Sequence, residues 1–420
     1  MLAPGCPKTV DWKATAGSAE GSMPRLAHPP AAGGHPPMPS LAITLDGVSF
    51  PNPFLIASGP PSTNERMIAR AFDEGWGGVV AKTVCLEAAT IRNVAPRYAR
   101  LQAPGGEVIG FENIELISDR PFETWLDEFR RLKDRYPDRI LIASIMEEYA
   151  CDRWQEIAGR CLETGVDGLE LNLSCPHGLP ERRMGSAMGQ NPAMVEDVCR
   201  WVRAITSKPV WAKMTPNITS VVEPAKAAVA GGASGITAIN TILSVMGVDL
   251  DTLRPMPTVE GWSEPGGYSY IAMRPIALRM VSEIARALPG VPVSGVGGVA
   301  TSADAIQFML LGAGTVQVCT AVMLQGMGII GELCEGTLAW MQRQGFETLD
   351  DFRGHSLQYF TTHADLVARH DTVRRERRQA AAAAQMQREG LAAASLDNAW
   401  EGDRLTQQTD DLSQPVLNRS

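Results

Sequence analysis

The segment "LNLSCPHG" sets a thiol, Cys175, three residues after Asn172, where an apolar run gives way to a loop. A thiol on a mobile loop can deliver or remove a proton, and a loop that closes keeps water from the reacting atoms. A cysteine buried in a tight turn is the alternative. Lys82 in "GGVVAKTV" and Lys213 in "PVWAKMT" each interrupt an otherwise apolar run. A buried ammonium group needs an anion or a strong acceptor beside it, so the pair points to an electron-rich ligand, with a structural salt bridge as the alternative for either one. Asn113, Asn172, Asn240 and Thr241 add amide and hydroxyl groups that both donate and accept. Such a set suits a flat heterocycle with alternating C=O and N–H groups better than a carboxylate or a sugar phosphate.

These residues fall at matching places in a repeat. Eight short apolar runs, "PFLIAS", "GGVVAKTV", "ILIASIM", "GLELNLS", "PVWAKMT", "GITAIN", "PVSGVGG" and "TVQVCTA", read as parallel strands buried on both faces. Segments of helical spacing separate them, the first opening at Asn64 and stopping at Gly75. A β–α unit repeated eight times predicts a closed (β/α)8 TIM barrel, with an open doubly wound sheet as the alternative. Barrel chemistry sits at the C-terminal strand ends, where Ser58, Lys82, Asn172, Ser174, Cys175, Lys213, Asn240 and Thr241 are found. After the last two strands, "SGVGGVATSADA" and "QVCTAV" occupy the usual place of a barrel phosphate site. Backbone N–H groups near Gly297, Gly298, Cys319 and Thr320 could hold the phosphate of a substrate or of a cofactor such as FMN.

Long excursions at about 84–120 and 243–273 leave strands 2 and 6 on the same side. Ahead of the barrel, "LAITLDGVSF" reads as a β-hairpin turning at Asp46-Gly47. The domains expected are a disordered Pro/Gly/Ala-rich arm over 1–39, the barrel over 40–355, and a C-terminal helix and tail over 356–420. The helix is expected in "RRERRQAAAAAQMQREG".

The chain has 420 residues, 45% of them hydrophobic and 20% charged, which excludes a mainly disordered or collagen-like protein. No apolar stretch approaches the roughly 20 residues that span a bilayer. The formal charge of −9 argues against a nucleic-acid partner. None of the 8 cysteines forms a C-x-x-C, so no metal site is expected and the thiols read as reduced, in a cytoplasmic protein.

In family order, "NPFLIASGPP", "GWGGVVAKT", "FENIELISDR", "IASIM", "LELNLSCPHG", "GQNP", "AKMTPNIT", "AINT", "GVGGV" and "QVCTAV" cover about residues 41–355. Together they resemble the dihydroorotate dehydrogenase superfamily of FMN barrels, and within it the pyrimidine-reducing part of dihydropyrimidine dehydrogenases. The resemblance implies FMN contacts from Ala57, Ser58, Lys82, Lys213, Asn240, Gly267, Ser269, Gly297, Gly298, Cys319 and Thr320. It implies a pyrimidine held by Asn113, Asn172, Ser174, Asn240 and Thr241, with Glu115 ordering the pocket. Cys175 would protonate C5 as hydride passes from flavin N5 to C6. His177 stands where dihydroorotate enzymes generally have Asn beside the orotate carboxylate, which favours uracil and thymine, bases without that group.

Two departures accompany the resemblance. No cysteine follows Cys334, so the ferredoxin-like iron–sulfur region of related subunits has no counterpart here, and no dinucleotide fingerprint is present. Electrons from NAD(P)H are therefore expected through a partner flavoprotein or iron–sulfur subunit, in a dimer or hetero-oligomer, with a soluble donor as the alternative. In "GGYSYIAMRP", Tyr270 and Ile271 stand where the family usually has Gly and a small residue. The competing functions are dihydroorotate dehydrogenase-like oxidation of a dihydropyrimidine, a non-catalytic flavin electron-transfer subunit, and a synthase acting on a phosphorylated substrate.

Overall fold

A computed structural model describes residues 39–87, 91–176 and 184–389. The chain opens with the expected hairpin, β1 (Ile43–Leu45) and β2 (Val48–Phe50), paired antiparallel. Its two-residue turn has Asp46 at φ 53° and Gly47 at φ 75°, the left-handed pair that matches strand twist. Asp46 also accepts the indole N–H of Trp211 at 3.1 Å.

The eight apolar runs form β3 (Phe54–Ile56), β4 (Gly78–Val80), β7 (Ile140–Ile145), β8 (Gly168–Asn172), β9 (Val210–Lys213), β10 (Gly235–Ala238), β15 (Val293–Val296) and β16 (Thr315–Val318). Each pairs in parallel with its neighbours, and β16 beside β3 closes the barrel. The helices between them are α1 (Glu65–Glu74), α2 (Phe122–Arg135), α3 (Cys151–Leu162), α4 (Ser186–Gly189), α5 (Pro192–Arg203), α6 (Val222–Ala230), α7 (Arg274–Ala287) and α8 (Ser302–Leu310), and α9 (Thr320–Gln325) and α10 (Ile329–Gln344) follow the last strand. Local chemistry sets their limits. Asn64 Oδ1 accepts the Met67 N–H at 3.0 Å to start α1, and Gly75 at φ 98° stops it. Outward residues such as Leu169, Leu171, Val316 and Val318 are buried beneath this helical shell with Trp76, Trp125 and Trp154.

The excursions supply what the repeat does not. The first contributes β5 (Tyr98–Gln102) and β6 (Val108–Asn113). The second contributes β11 (Ile242–Ser244), the short pair β12 (Val248–Asp249) and β13 (Arg254–Pro255), and β14 (Gly266–Ser269). Apart from β12 and β13, which pair only with each other, they join as one antiparallel sheet in the order β11-β14-β6-β5, with Asn113 opposite Gly267.

A second compact unit begins at Ser356 and contains α11 (His363–Glu389). This helix starts earlier than the arginine run suggested, because Thr362 Oγ1 accepts the Asp365 N–H at 3.2 Å as an N-cap. Its side chains are mostly exposed. The arm expected over 1–39 lies outside the described residues as far as residue 38, as does the tail from residue 390. Among the described residues, no helix is long and apolar enough to cross a membrane.

Candidate active site

The C-terminal strand ends open into a cleft whose empty space, open solvent at the mouth included, is about 1030 Å³. Ala57 and Ser58 follow β3, Lys82 follows β4, Asn172 ends β8 and Lys213 ends β9. Asn240 and Thr241 follow β10, Gly297 and Gly298 follow β15, and Cys319 and Thr320 follow β16. All of these line the cleft, as do Asn113, Glu115, Cys175 and Ser269. The accessory sheet thus walls the side that the barrel leaves open.

Two expected contacts stand elsewhere. Gly267 does not line the cleft: its carbonyl accepts from Asn113 Nδ2 at 3.5 Å, and a Cβ there would lie 2.3 Å from Thr241 Oγ1. It is a spacer that lets Thr241 approach β14. Ser174 is fully buried behind the wall, accepting from Asn240 Nδ2 at 3.0 Å and donating to Asn172 Oδ1 at 3.2 Å. It locks two asparagines in place. His177 lies outside the described residues.

Glu170 explains how Lys213 can be buried. It is inaccessible inside the barrel and accepts from Lys213 Nζ at 3.2 Å, Thr237 Oγ1 at 3.0 Å and Gln317 Nε2 at 2.9 Å. Those partners come from β9, β10 and β16, so all four side chains point inward. Asn172, two residues beyond Glu170, shares its face one layer nearer the mouth. Lys82 has its own carboxylate, Glu115, at 3.3 Å, and Glu115 also accepts from the Tyr98 hydroxyl at 2.8 Å. Both lysines therefore form salt bridges and still line the cleft. Burial, with Glu115 beside it, pushes the Tyr98 phenol far above its ordinary range.

Hydroxyl groups join the wall together. Thr83 Oγ1 accepts from Asn172 Nδ2 at 2.9 Å and lies 2.8 Å from Ser144 Oγ and 3.1 Å from Ser58 Oγ. Ser269 Oγ donates to the Phe111 carbonyl at 3.0 Å, which leaves the Thr320 hydroxyl to donate to it at 2.8 Å. The Cys319 thiol is pushed up to about 11 by burial, although Lys213 and Lys82 both pull it down. Cys175 is buried in an apolar cluster with Cys85, Ile91, Ile117, Met146 and Met184.

Sequence reasoning passed over Glu170, Gln317 and Thr83. The first two carry the same signal as the lysines, a polar residue inside an apolar strand. Gln317 matters most: its Nε2 donates to Glu170 and to Ser294 at 3.2 Å, which leaves Oε1 buried at the cleft with no hydrogen-bond partner among the described residues. That oxygen is an acceptor without a donor.

Comparison with known proteins agrees with this geometry. The family model for dihydroorotate dehydrogenase matches residues 40–341. A chloroplastic dihydropyrimidine dehydrogenase (NADP(+)) of Arabidopsis thaliana is 53% identical over 89% of this chain and 88% of its own. The NAD-dependent dihydropyrimidine dehydrogenase subunit PreA of Escherichia coli is 44% identical over 75% of this chain and 76% of its own. The catalytic subunit of dihydroorotate dehydrogenase B (NAD(+)) from Pyrococcus abyssi is 35% identical over 76% of this chain and 99% of its own. The chain therefore belongs to the dihydroorotate dehydrogenase family, as an oxidoreductase of the dihydropyrimidine dehydrogenase type.

Proposed function

We propose that this chain reduces the 5,6 double bond of uracil and thymine, with FMN as its resident cofactor. The observation that carries the reading is the cleft itself, where two lysines, a hydroxyl-linked set of asparagines and a buried thiol share one barrel mouth.

The chain's own residues fit FMN on three counts. Gly297 and Gly298 have φ of 136° and 78°, and a Cβ on either would come within 2.7 Å of Ala277 or Tyr270, so the turn leaves room only for a bare backbone. Such a turn suits a phosphate, with Cys319, Thr320 and Ser269 alongside. Lys82 and Lys213 supply positive charge at the strand ends, near Ala57, Ser58 and Asn240. The partnerless Gln317 Oε1 suits a buried ring N–H. When bound, FMN supplies the hydride chemistry, and Lys213 provides the charge that favours the anionic reduced ring.

Asn113, Asn172, Asn240 and Thr241 present donors and acceptors to the pyrimidine edges, and Glu115 orders Lys82 and Tyr98 around them. Cys175 delivers the proton to C5 of the base. His177, read from the sequence, leaves no amide for a carboxylate and favours uracil and thymine over orotate. Two relatives are named as subunits, which supports electron delivery from NAD(P)H through a partner protein.

The test uses purified protein whose flavin is chemically reduced without oxygen and then mixed with uracil, thymine or orotate. Rapid return of oxidised-flavin absorbance with uracil or thymine, orotate being inert, is expected. Reoxidation by orotate alone would assign the chain to dihydroorotate chemistry. Bound flavin that no pyrimidine reoxidises would favour a non-catalytic electron-transfer subunit.

A further inference from the structure

Four residues other than glycine have positive φ among the described residues, and Tyr270 is the one that lines the cleft. Its φ of 80° and ψ of −166° fall in a region that is almost exclusive to glycine. The neighbours impose this conformation. Ser269 is held on one side by Phe111 and Thr320. On the other, the Tyr270 carbonyl accepts the Met273 N–H at 3.1 Å, in the 3-10 turn Ile271–Met273 that leads into α7. The same carbonyl lies 2.7 Å from where a Cβ on Gly298 would sit, so the strained residue backs directly onto the glycine turn. A glycine would satisfy every one of these constraints without strain. The half-buried tyrosine, packed against the barrel core, adds only a side chain.

We propose that Tyr270 is a retention residue for the bound flavin: its ring covers the glycine-lined end of the cleft, and the backbone strain is the consequence of keeping an aromatic there. A phenol has an apolar body that excludes water and few rotatable bonds to immobilise, which suits a cover over a phosphate-binding turn. The inference rests on the FMN reading above.

Three variants separate ring from backbone. Tyr270→Gly removes both the ring and the strain, Tyr270→Ala removes the ring and keeps the strain, and Tyr270→Phe keeps the ring. The readouts are the rate of flavin release after dilution, followed by the rise in flavin fluorescence, and the Tm of the flavin-free protein. Tyr270→Gly should release flavin at least about tenfold faster while its flavin-free Tm rises by about 2 °C or more. Tyr270→Ala should release flavin as fast with no gain in Tm, and Tyr270→Phe should match the parent protein. Release at the parent rate from the Gly or Ala variant would overturn the proposal, as would an unchanged Tm for the Gly variant. Parent protein that takes up no flavin would overturn the FMN reading itself, a result distinct from either.

Discussion

At the scale of single residues, the proposed reaction would rest on a thiol whose acidity an alcohol cannot match. Cys175 is 6% exposed, in an apolar cluster at the cleft wall, where the proposed proton transfer to a bound base would compete with little water. Cys175→Ser keeps the size and a hydroxyl of far weaker acidity, so flavin uptake should persist while pyrimidine reduction falls by about 10²–10⁴-fold. Single-turnover reoxidation of reduced flavin measures this directly, and a variant within threefold or so of the parent rate would remove the proton-donor role. The lysines show why some site residues were legible in the sequence and others were not. A charge inside an apolar strand announces itself, and Lys82 and Lys213 were readable on that ground alone. What each lysine faces was not readable, because Glu170 lies 43 positions from Lys213 and meets it only once β8 and β9 pair. Gln317 was passed over for the same reason: its significance is an orphaned oxygen, which exists only after Glu170 and Ser294 have claimed its amide nitrogen.

Among the elements, the eight barrel strands were legible because strands buried on both faces are continuous apolar runs. The accessory sheet was not, since its strands are short and partly polar and pair across the chain, with Asn113 and Gly267 separated by 154 positions. Glu112 holds that sheet in register. It is fully buried on β6, its Oε1 accepting from Ser244 Oγ at 2.9 Å and the Gly266 N–H at 3.1 Å, its Oε2 from the Met246 N–H at 3.0 Å. One carboxylate thus ties both ends of the second excursion to the strand that carries Asn113. In Glu112→Gln an amide NH2 must face one of those donors, leaving a buried donor unsatisfied at about 1–3 kcal/mol. A fall in Tm of about 2–6 °C is expected, with KM for the pyrimidine raised more than kcat is lowered, because Asn113 loses its register. An unchanged Tm and KM would show that the sheet holds itself. Burial pushes the Glu112 carboxyl above its ordinary range, against the three hydrogen bonds. The folded protein therefore binds this proton more tightly than the unfolded chain does. Its contribution to stability is greatest in acid and declines as pH rises through the raised value, a slope the Gln variant should lack.

The whole molecule brings together cleft residues that run from Ala57 to Met323 and that come from most strands of the barrel and from both excursions. A ligand bound there touches nearly every β–α unit at once, so its binding energy acts on the fold as a unit. Saturation at 100 times the dissociation constant should add about 2.7 kcal/mol to stability, or about 5 °C in Tm for a domain of this size. The same argument distinguishes the two ends of the cofactor. If the Gly297–Gly298 turn takes the phosphate and the strand-end lysines take the ring, FMN should raise Tm in proportion to the logarithm of its concentration. Riboflavin, which has the ring without the phosphate, should do so only at concentrations at least tenfold higher. Titration of flavin-free protein with each compound, followed by thermal unfolding, measures the offset between the two curves. Coincident curves would mean that the turn between β15 and α8 contributes nothing to recognition and that the ring alone is held. Stabilisation by neither compound would remove the cofactor from the cleft altogether. The expected offset has a structural source: on this reading the phosphate would meet a turn that the fold has already shaped, with Asp304 accepting the Ala300 and Thr301 N–H groups at 3.0 Å and pairing with Arg274 behind it. Little ordering remains to oppose binding at that end.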